Sequence, residues 1–364
     1  MHFGAEHLIL LGYLDSLFVE SEARRVAPPR EIPATLNRLF AGAMRAHDRT
    51  TALLHPDGGV WRPSPDWRLD RQVIRLALYL RERVGVAPGD RIALLAELRP
   101  EWLVADLAAL GLGAVSVALD PRLGDQALGS ALADAQPTLT FVSPAALARV
   151  DGRGQAHGRL VLLEPPTAAS ELASLDAWLE LGGTLDTPER AQAFRAAARE
   201  LGPDAPAMRH YIATPSGWSR IDLTQGEIVA RLRTGPLAER GRPGDVAVVV
   251  DPAVSPAARL AVYGFLGDGY TATALAPPGA RPEDLVALRP TVVVAPPALA
   301  GDIVRAAAPR PGVRRWLGRR RATGDLLGGR LRRVDAIGPI DAALASRPGA
   351  RLTVRSLTST TIGS

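Results

Sequence analysis

The 364-residue chain contains no cysteine, which excludes disulfides, thiolate nucleophiles, zinc–cysteine sites and iron–sulfur clusters. Lysine is absent too, so all 43 basic side chains are arginines. Schiff-base chemistry and every other step that needs an amine side chain are therefore excluded, and the arginines can clamp anions but cannot give up their protons. Asn37 is the only asparagine, while Ala, Arg, Gly and Pro run high, a compositional bias that explains the skew without restoring the missing chemistry. HExxH, CxxC, GxSxG and EF-hand patterns are missing. The six histidines (His2, His7, His47, His55, His157 and His210) are scattered and read as ordinary surface or helix-end residues. No stretch reaches the ~20 apolar residues of a membrane span. The first eighteen residues lack the basic start of a signal peptide, having Glu6 and two histidines there instead. The expectation is a soluble, cytoplasmic protein with no transmembrane segment.

Hydrophobic residues make up 47% and charged residues 22%, enough for a sizeable core, and the length suits two α/β units. Net charge is +5. The surplus is local: Arg314, Arg315, Arg319, Arg320, Arg321, Arg330, Arg332 and Arg333 share one stretch with Asp325 as its lone acid. Arg314–Arg333 reads as a solvated loop, with contact to anionic lipid of a peripheral membrane surface or to nucleic acid as the sharper alternative, and the chain as a whole is not a specific nucleic-acid binder.

Residues 24–33 are a proline-rich linker, and 34–47 have helical spacing. A β-like stretch from Thr51 to Trp61 is broken by Asp57-Gly58-Gly59, and Asp70 caps a long amphipathic helix. From Arg91 onward short apolar strands (91–95, 114–119, 139–142, 160–163) alternate with helices. The alternation restarts after 201–208, with strands at 246–250, 270–275, 291–294, 331–336 and 351–354 and helices between them, including 340–346. The pattern predicts an α/β fold of two tandem doubly wound parallel-sheet subdomains. Residues 1–33 form an extension and linker, 34–205 the first subdomain and 206–364 the second. There is no short-period repeat. Gly-rich 111–116 sits between a helix and a strand, the reverse of the dinucleotide order, and reads as close helix–strand packing.

The segment around Tyr211 carries the main functional signal. Thr214, Pro215, Ser216 and Gly217 follow an apolar start, with Arg220 and then Leu223-Thr224 behind them. Small hydroxyl residues and a glycine in a loop after a strand can cradle phosphate through backbone N–H groups. A polar turn leading to a helix capped by Thr224 reads equally well.

Taken together, 85–142 and Tyr211–Gln225 resemble the adenylate-forming superfamily of acyl-CoA synthetases, luciferases and peptide-synthetase adenylation domains, most nearly its long-chain fatty-acyl branch. The segment 85–142 is similar in order and spacing to that family's N-terminal subdomain. The family's phosphate loop, of the form YTSGTTGxPKG followed by LTH, falls on Tyr211–Gln225 with one deletion: Ser216 and Gly217 fit, Arg220 stands at the loop lysine and Gln225 at the histidine. In 245–274 the family's LPLAHxxER pattern meets Pro252 and Arg259, with Ser255 and Ala258 at its histidine and glutamate. Gly338-Pro339 falls on its GGAP strand end, and Thr358 on its YGxTE segment, where Ser359 replaces the magnesium-binding glutamate.

The resemblance implies nucleotide-binding candidates Thr214, Ser216, Gly217, Arg220, Thr224, Gly338 and Thr358, acyl-pocket candidates Ser255 and Arg259, no metal ligand at Ser359 and no assignable catalytic residue. It implies weak ATP or AMP binding, little help from Mg2+ and an undetermined use of CoA. The sequence ends at Ser364, so the family's small C-terminal domain with its catalytic lysine is expected to be absent. Each lost charge costs ~3 kcal/mol or more of transition-state stabilisation. The expected protein is a catalytically impaired AMP-dependent acyl-CoA ligase homologue, a pseudoenzyme of fatty acid metabolism. It would bind a fatty acid or acyl-adenylate weakly and scaffold or regulate a partner synthetase. The alternative is an active AMP-forming fatty-acyl-CoA ligase completed by a separate C-terminal polypeptide.

Overall fold

A computed structural model describes residues 33–47, 49–150, 154–165, 171–234, 241–242, 244–251, 254–268, 271–307, 327, 329–339 and 352–357. Among them the chain runs α1 (Leu36–His47), β1 (Leu53–Asp57), β2 (Val60–Ser64), α2 (Asp66–Tyr79), β3 (Arg91–Leu95), α3 (Pro100–Gly111), β4 (Val115–Leu119), α4 (Asp125–Ala135), β5 (Leu139–Val142), α5 (Pro144–Val150) and β6 (Arg159–Leu162). It continues through α6 (Leu175–Gly183), α7 (Pro188–Glu200), β7 (Pro206–Thr214), β8 (Gly217–Thr224), α8 (Gln225–Arg233), β9 (Val246–Val250), α9 (Pro256–Asp268), β10 (Ala272–Ala276), a 3-10 helix (Pro282–Leu288), β11 (Val292–Ala295), α10 (Pro297–Ala307), β12 (Arg333–Ile337) and β13 (Thr353–Leu357).

The strands form two sheets, ordered β6-β5-β3-β4-β7-β8 and β13-β12-β11-β9-β10-β1-β2. Each is parallel except for one antiparallel edge strand, β8 in the first and β2 in the second. The parallel α/β expectation therefore holds. Because successive side chains of a strand point to opposite faces, each sheet feeds two cores. Ile92 and Leu94 of β3 share one core with Ala247 and Val249 of β9, and α2, α3 and α9 fill it. Ala93 and Leu95 instead meet α4 and α5. Val246, Val248 and Val250 meet the 3-10 helix and α10. Three cores separated by two sheets make five layers, helix–sheet–helix–sheet–helix.

The subdomain boundary near 201–208 needs correction. The hairpin β7–β8 lies beyond it in sequence but completes the first sheet, with β7 parallel to β4. The hairpin β1–β2 lies in the first half but completes the second sheet, with β1 parallel to β10. The alternation of strands and helices shows where elements are, but not which open sheet edge a hairpin joins.

Two local expectations also shift. The long helix begins at Asp66, not Asp70, after Pro65 in extended conformation. Asp66 is buried and receives the fork of Arg49, whose Nη2 and Nε lie 2.9 Å from its two oxygens. Asp70 instead binds Arg195 at 2.6 Å. The turn between β1 and β2 is Gly58-Gly59, at φ 57° and 81°, the left-handed backbone of a tight hairpin. Residues 1–32, the expected helix at 340–346 and most of Arg314–Arg333 lie outside the described residues.

Candidate functional site

The segment expected to be a phosphate loop is a tight hairpin. Thr214 ends β7, Gly217 begins β8 directly opposite it, and only Pro215 and Ser216 turn the chain. Gly217 has φ 131°, a conformation that glycine adopts freely. The hydroxyls of Thr214 and Ser216 lie 3.3 Å apart and share one hydrogen bond. Pro215 has no N–H to offer. A phosphate cradle needs several converging N–H groups, and two residues cannot supply them.

Arg220 sits on β8 opposite Tyr211. Its guanidinium binds Asp134 of α4 at 2.8 Å and Asp222 at 3.2 Å. Asp134 also accepts a short hydrogen bond from the Tyr211 hydroxyl. The Tyr211 and Arg220 hydrogen bonds hold the Asp134 carboxyl below its ordinary range. Burial first, and then Asp134, push the Tyr211 phenol up to about 12. Trp218 packs its edge on Tyr211, with ring centroids 5.0 Å apart. Arg220 is thus committed to carboxylates on its own surface.

Thr224 is the N-cap of α8: its hydroxyl accepts from Glu227 N at 3.2 Å, and Glu227 returns a carboxylate oxygen to Thr224 N at 2.8 Å. This capping box is the structural reading of Thr224 that the sequence offered. Gly338 follows β12 at φ 123°, donates to Leu357 O at 2.9 Å and accepts from the Ser356 hydroxyl at 2.6 Å. It closes the end of β12 onto β13, and among the described residues nothing bonds it to the Thr214 turn. Thr358 and Ser359 lie outside the described residues.

The two acyl-pocket candidates have separate surroundings. Ser255 precedes α9; its hydroxyl accepts from Ala258 N at 3.2 Å, and its N–H donates to Asp251 at 2.6 Å. Arg259 sits in the core. It is fully buried, forms a short ion pair with Asp106 of α3, and donates to the Tyr263 hydroxyl at 2.6 Å. Ser116 completes the group by donating to Asp106 at 2.6 Å, and Trp102 stacks 5.1 Å from the guanidinium. A charge so deep is tolerated only when paired and hydrogen-bonded throughout, so Arg259 pins the two halves of the central layer together.

Several residues near these positions escaped the sequence reading. Asp120, just past β4, is buried; it takes both arms of Arg122 and accepts from Ala213 N at 3.2 Å. Its hydrogen bond raises the Arg122 pKa, and Asp251 just past β9 adds to the effect. Asp120 and Arg122 thus sit beyond the carboxyl end of β4, and Asp251 and Ser255 beyond that of β9. The missed signal was the strand–Asp–Pro sequence, at Asp120-Pro121 and again at Asp251-Pro252. His210 is buried on β7, and among the described residues neither ring nitrogen has a side-chain hydrogen-bond partner. Burial, reinforced by Arg259, lowers its pKa well below the ordinary value, against a smaller opposing effect of the Val254 backbone. Among the described residues no group of three His, Asp or Glu side chains could hold a metal ion, and no helix is long and apolar enough to cross a membrane.

Residues 68–212 match the sequence profile described as AMP-binding enzyme. No curated protein sequence matches the chain. Solved structures do match in fold. The N-terminal domain of FACL13 from Mycobacterium tuberculosis superposes with a TM-score of 0.64 at 20% identity, over 89% of this chain and 75% of that one. A long-chain-fatty-acid-CoA ligase from Archaeoglobus fulgidus gives 0.69 at 14% identity, over 92% and 66%. A fatty acyl CoA synthetase from Mycobacterium tuberculosis gives 0.59 at 19% identity; the match covers 86% of this chain and only 56% of the synthetase.

Proposed function

We propose that this chain, whose residues 68–212 belong to the AMP-binding enzyme family, is an acyl-CoA-synthetase-like protein that forms no acyl adenylate by itself and serves as a binding or scaffold component. The observation that carries this reading is the Thr214–Gly217 hairpin. It replaces a phosphate loop with a two-residue turn, while Arg220 is held by Asp134 and Asp222. The absence of lysine supports it from the sequence side. An arginine already paired with two carboxylates has its charge largely neutralised and contributes little net affinity for a phosphate.

ATP or AMP then binds at best near the millimolar range, about −4 kcal/mol, with little dependence on Mg2+. The strand ends that carry Asp120, Arg122, Asp251 and Ser255 are where a fatty acid or acyl-adenylate would enter, since ligands of open α/β sheets lie beyond the carboxyl ends of the strands. ATP–pyrophosphate exchange with a series of fatty acids tests the reading. No exchange above background is expected from the chain alone, and robust exchange would overturn it. Fatty-acid-dependent thermal shifts without exchange are the expected sign of retained acyl binding.

A further inference from the structure

An edge strand leaves every second residue's N–H and C=O without a ladder partner. On β8 those residues can be read from the far side of β7. Tyr211 O accepts from Asp120 N at 3.0 Å, and Ala213 N donates to the Asp120 carboxylate at 3.2 Å, so the main chains of Tyr211 and Ala213 face β4. Their cross-strand partners are Arg220 and Trp218, and Asp222 lies opposite Arg209 in the same phase. In an alternating antiparallel ladder, Trp218, Arg220 and Asp222 therefore turn their N–H and C=O groups to the outer edge. β8 is eight residues long, has no proline, and among the described residues no strand pairs with that edge.

We propose that β8 is a self-association edge, on which a second copy of this chain pairs antiparallel about a two-fold axis passing Ile221. In that register Arg220 of each copy stands opposite Asp222 of the other, and outward-facing main chains meet outward-facing main chains. Shifting the axis to the next outward-facing register sets Arg220 against Arg220 or Asp222 against Asp222, which like-charge repulsion disfavours. The two-fold makes the favourable pair twice. Arg220 keeps donors to spare, because a guanidinium has five N–H groups and its side chain is 41% exposed. The sequence Arg220-Ile221-Asp222 is thus self-complementary when read against its own reverse. This inference is independent of whether the chain forms adenylates.

Sedimentation velocity of the full chain over a micromolar concentration series tests it, without nucleotide. A concentration-dependent dimer is expected. R220D and D222R each weaken it by about tenfold, since each sets like charges opposite one another in both pairs. An equimolar mixture of R220D and D222R chains restores the dimer as a heterodimer, which a folding defect would not do. D222P removes an outward N–H but no β7–β8 ladder bond, and is expected to be monomeric with native circular dichroism. A wild-type chain that stays monomeric, as it would if another segment of the chain already covered β8, overturns the proposal. So do charge-reversed variants that dimerise like the wild type, or a mixture that fails to re-associate.

Discussion

The two sheets share one plan and differ in how they finish it. Leaving β13 aside, β6-β5-β3-β4 and β12-β11-β9-β10 have the same order and the same succession in sequence, and each is completed by a hairpin. The hairpins are exchanged: the one that precedes β3 joins the second sheet, and the one that precedes β9 joins the first. Their edges are unlike. On β2, Ala52 O accepts from Thr273 N at 2.9 Å, which sets the phase of β1 and turns Pro63, opposite Leu54, to the outside. A proline at an outward position of a five-residue strand removes a donor where a neighbouring chain would need one. β8 is longer and keeps its donors. One architecture thus carries one blunted edge and one open edge, and the difference lies in a few side chains.

The strongest way to break the pairing of the halves is at the helices that follow β3 and β9, because α3 supplies Asp106 and α9 supplies Arg259. R259A leaves a buried carboxylate without its partner and is expected to cost about 3–5 kcal/mol in urea unfolding, whereas the double variant R259M/D106L recovers most of that loss.

The next effect concerns the histidines on the inner hairpin strands, His210 on β7 and His55 on β1. Burial lowers both pKa values, His210 much more. A folded-state pKa below the unfolded 6.5 means that the unfolded chain takes up the proton first. The neutral form's stability is therefore full above pH 6.5 and falls as pH drops below it. The slope due to His210 is about 1.4 kcal/mol per pH unit. H210L flattens that slope in unfolding titrations between pH 7 and 5, and H55L does so less.

A smaller effect separates the exits of the hairpins. Thr224 caps α8, whereas α2 begins after Pro65 with no side-chain cap. T224A is expected to lose about 1 kcal/mol by denaturant unfolding. The smallest effect is R220A, below ~1 kcal/mol, because its ion pairs are partly exposed. By calorimetry the same variant leaves ATP affinity almost unchanged, which sharpens the contrast between a surface arginine and a phosphate ligand.

The alternation of apolar strands and helices was legible in the sequence, because a buried parallel strand must be apolar on both faces. The position of the strand Val246–Val250 and the turn at Gly58-Gly59 follow from residue types alone. The exchange of hairpins was not legible, since β7 looks the same whichever open edge it joins. Thr224 was readable both as a cap and as a phosphate donor, and only its bond with Glu227 separates the two. Arg259 matched a sequence pattern, yet its environment depends on Asp106, far away in the chain. Distant partners of this kind leave no local trace, which is why the candidate site was less readable than the fold.

The exchanged hairpins also constrain how the chain is made. β1 and β2 leave the ribosome early, but Leu53 pairs with Thr273, more than half the chain away. Until β9 and β10 are synthesised, this ribbon, with Leu53, Leu54 and Trp61 to bury, has no sheet to join. At roughly 5–20 residues per second the wait lasts on the order of ten seconds or longer. Contacts of such long range also slow folding, because loop closure must come before the pairing that rewards it. The first sheet, closed once residue 224 has emerged, can assemble before the second, which must wait for β9 and β10. A nascent chain halted between the two therefore exposes β1 and β2 as a natural binding target for chaperones.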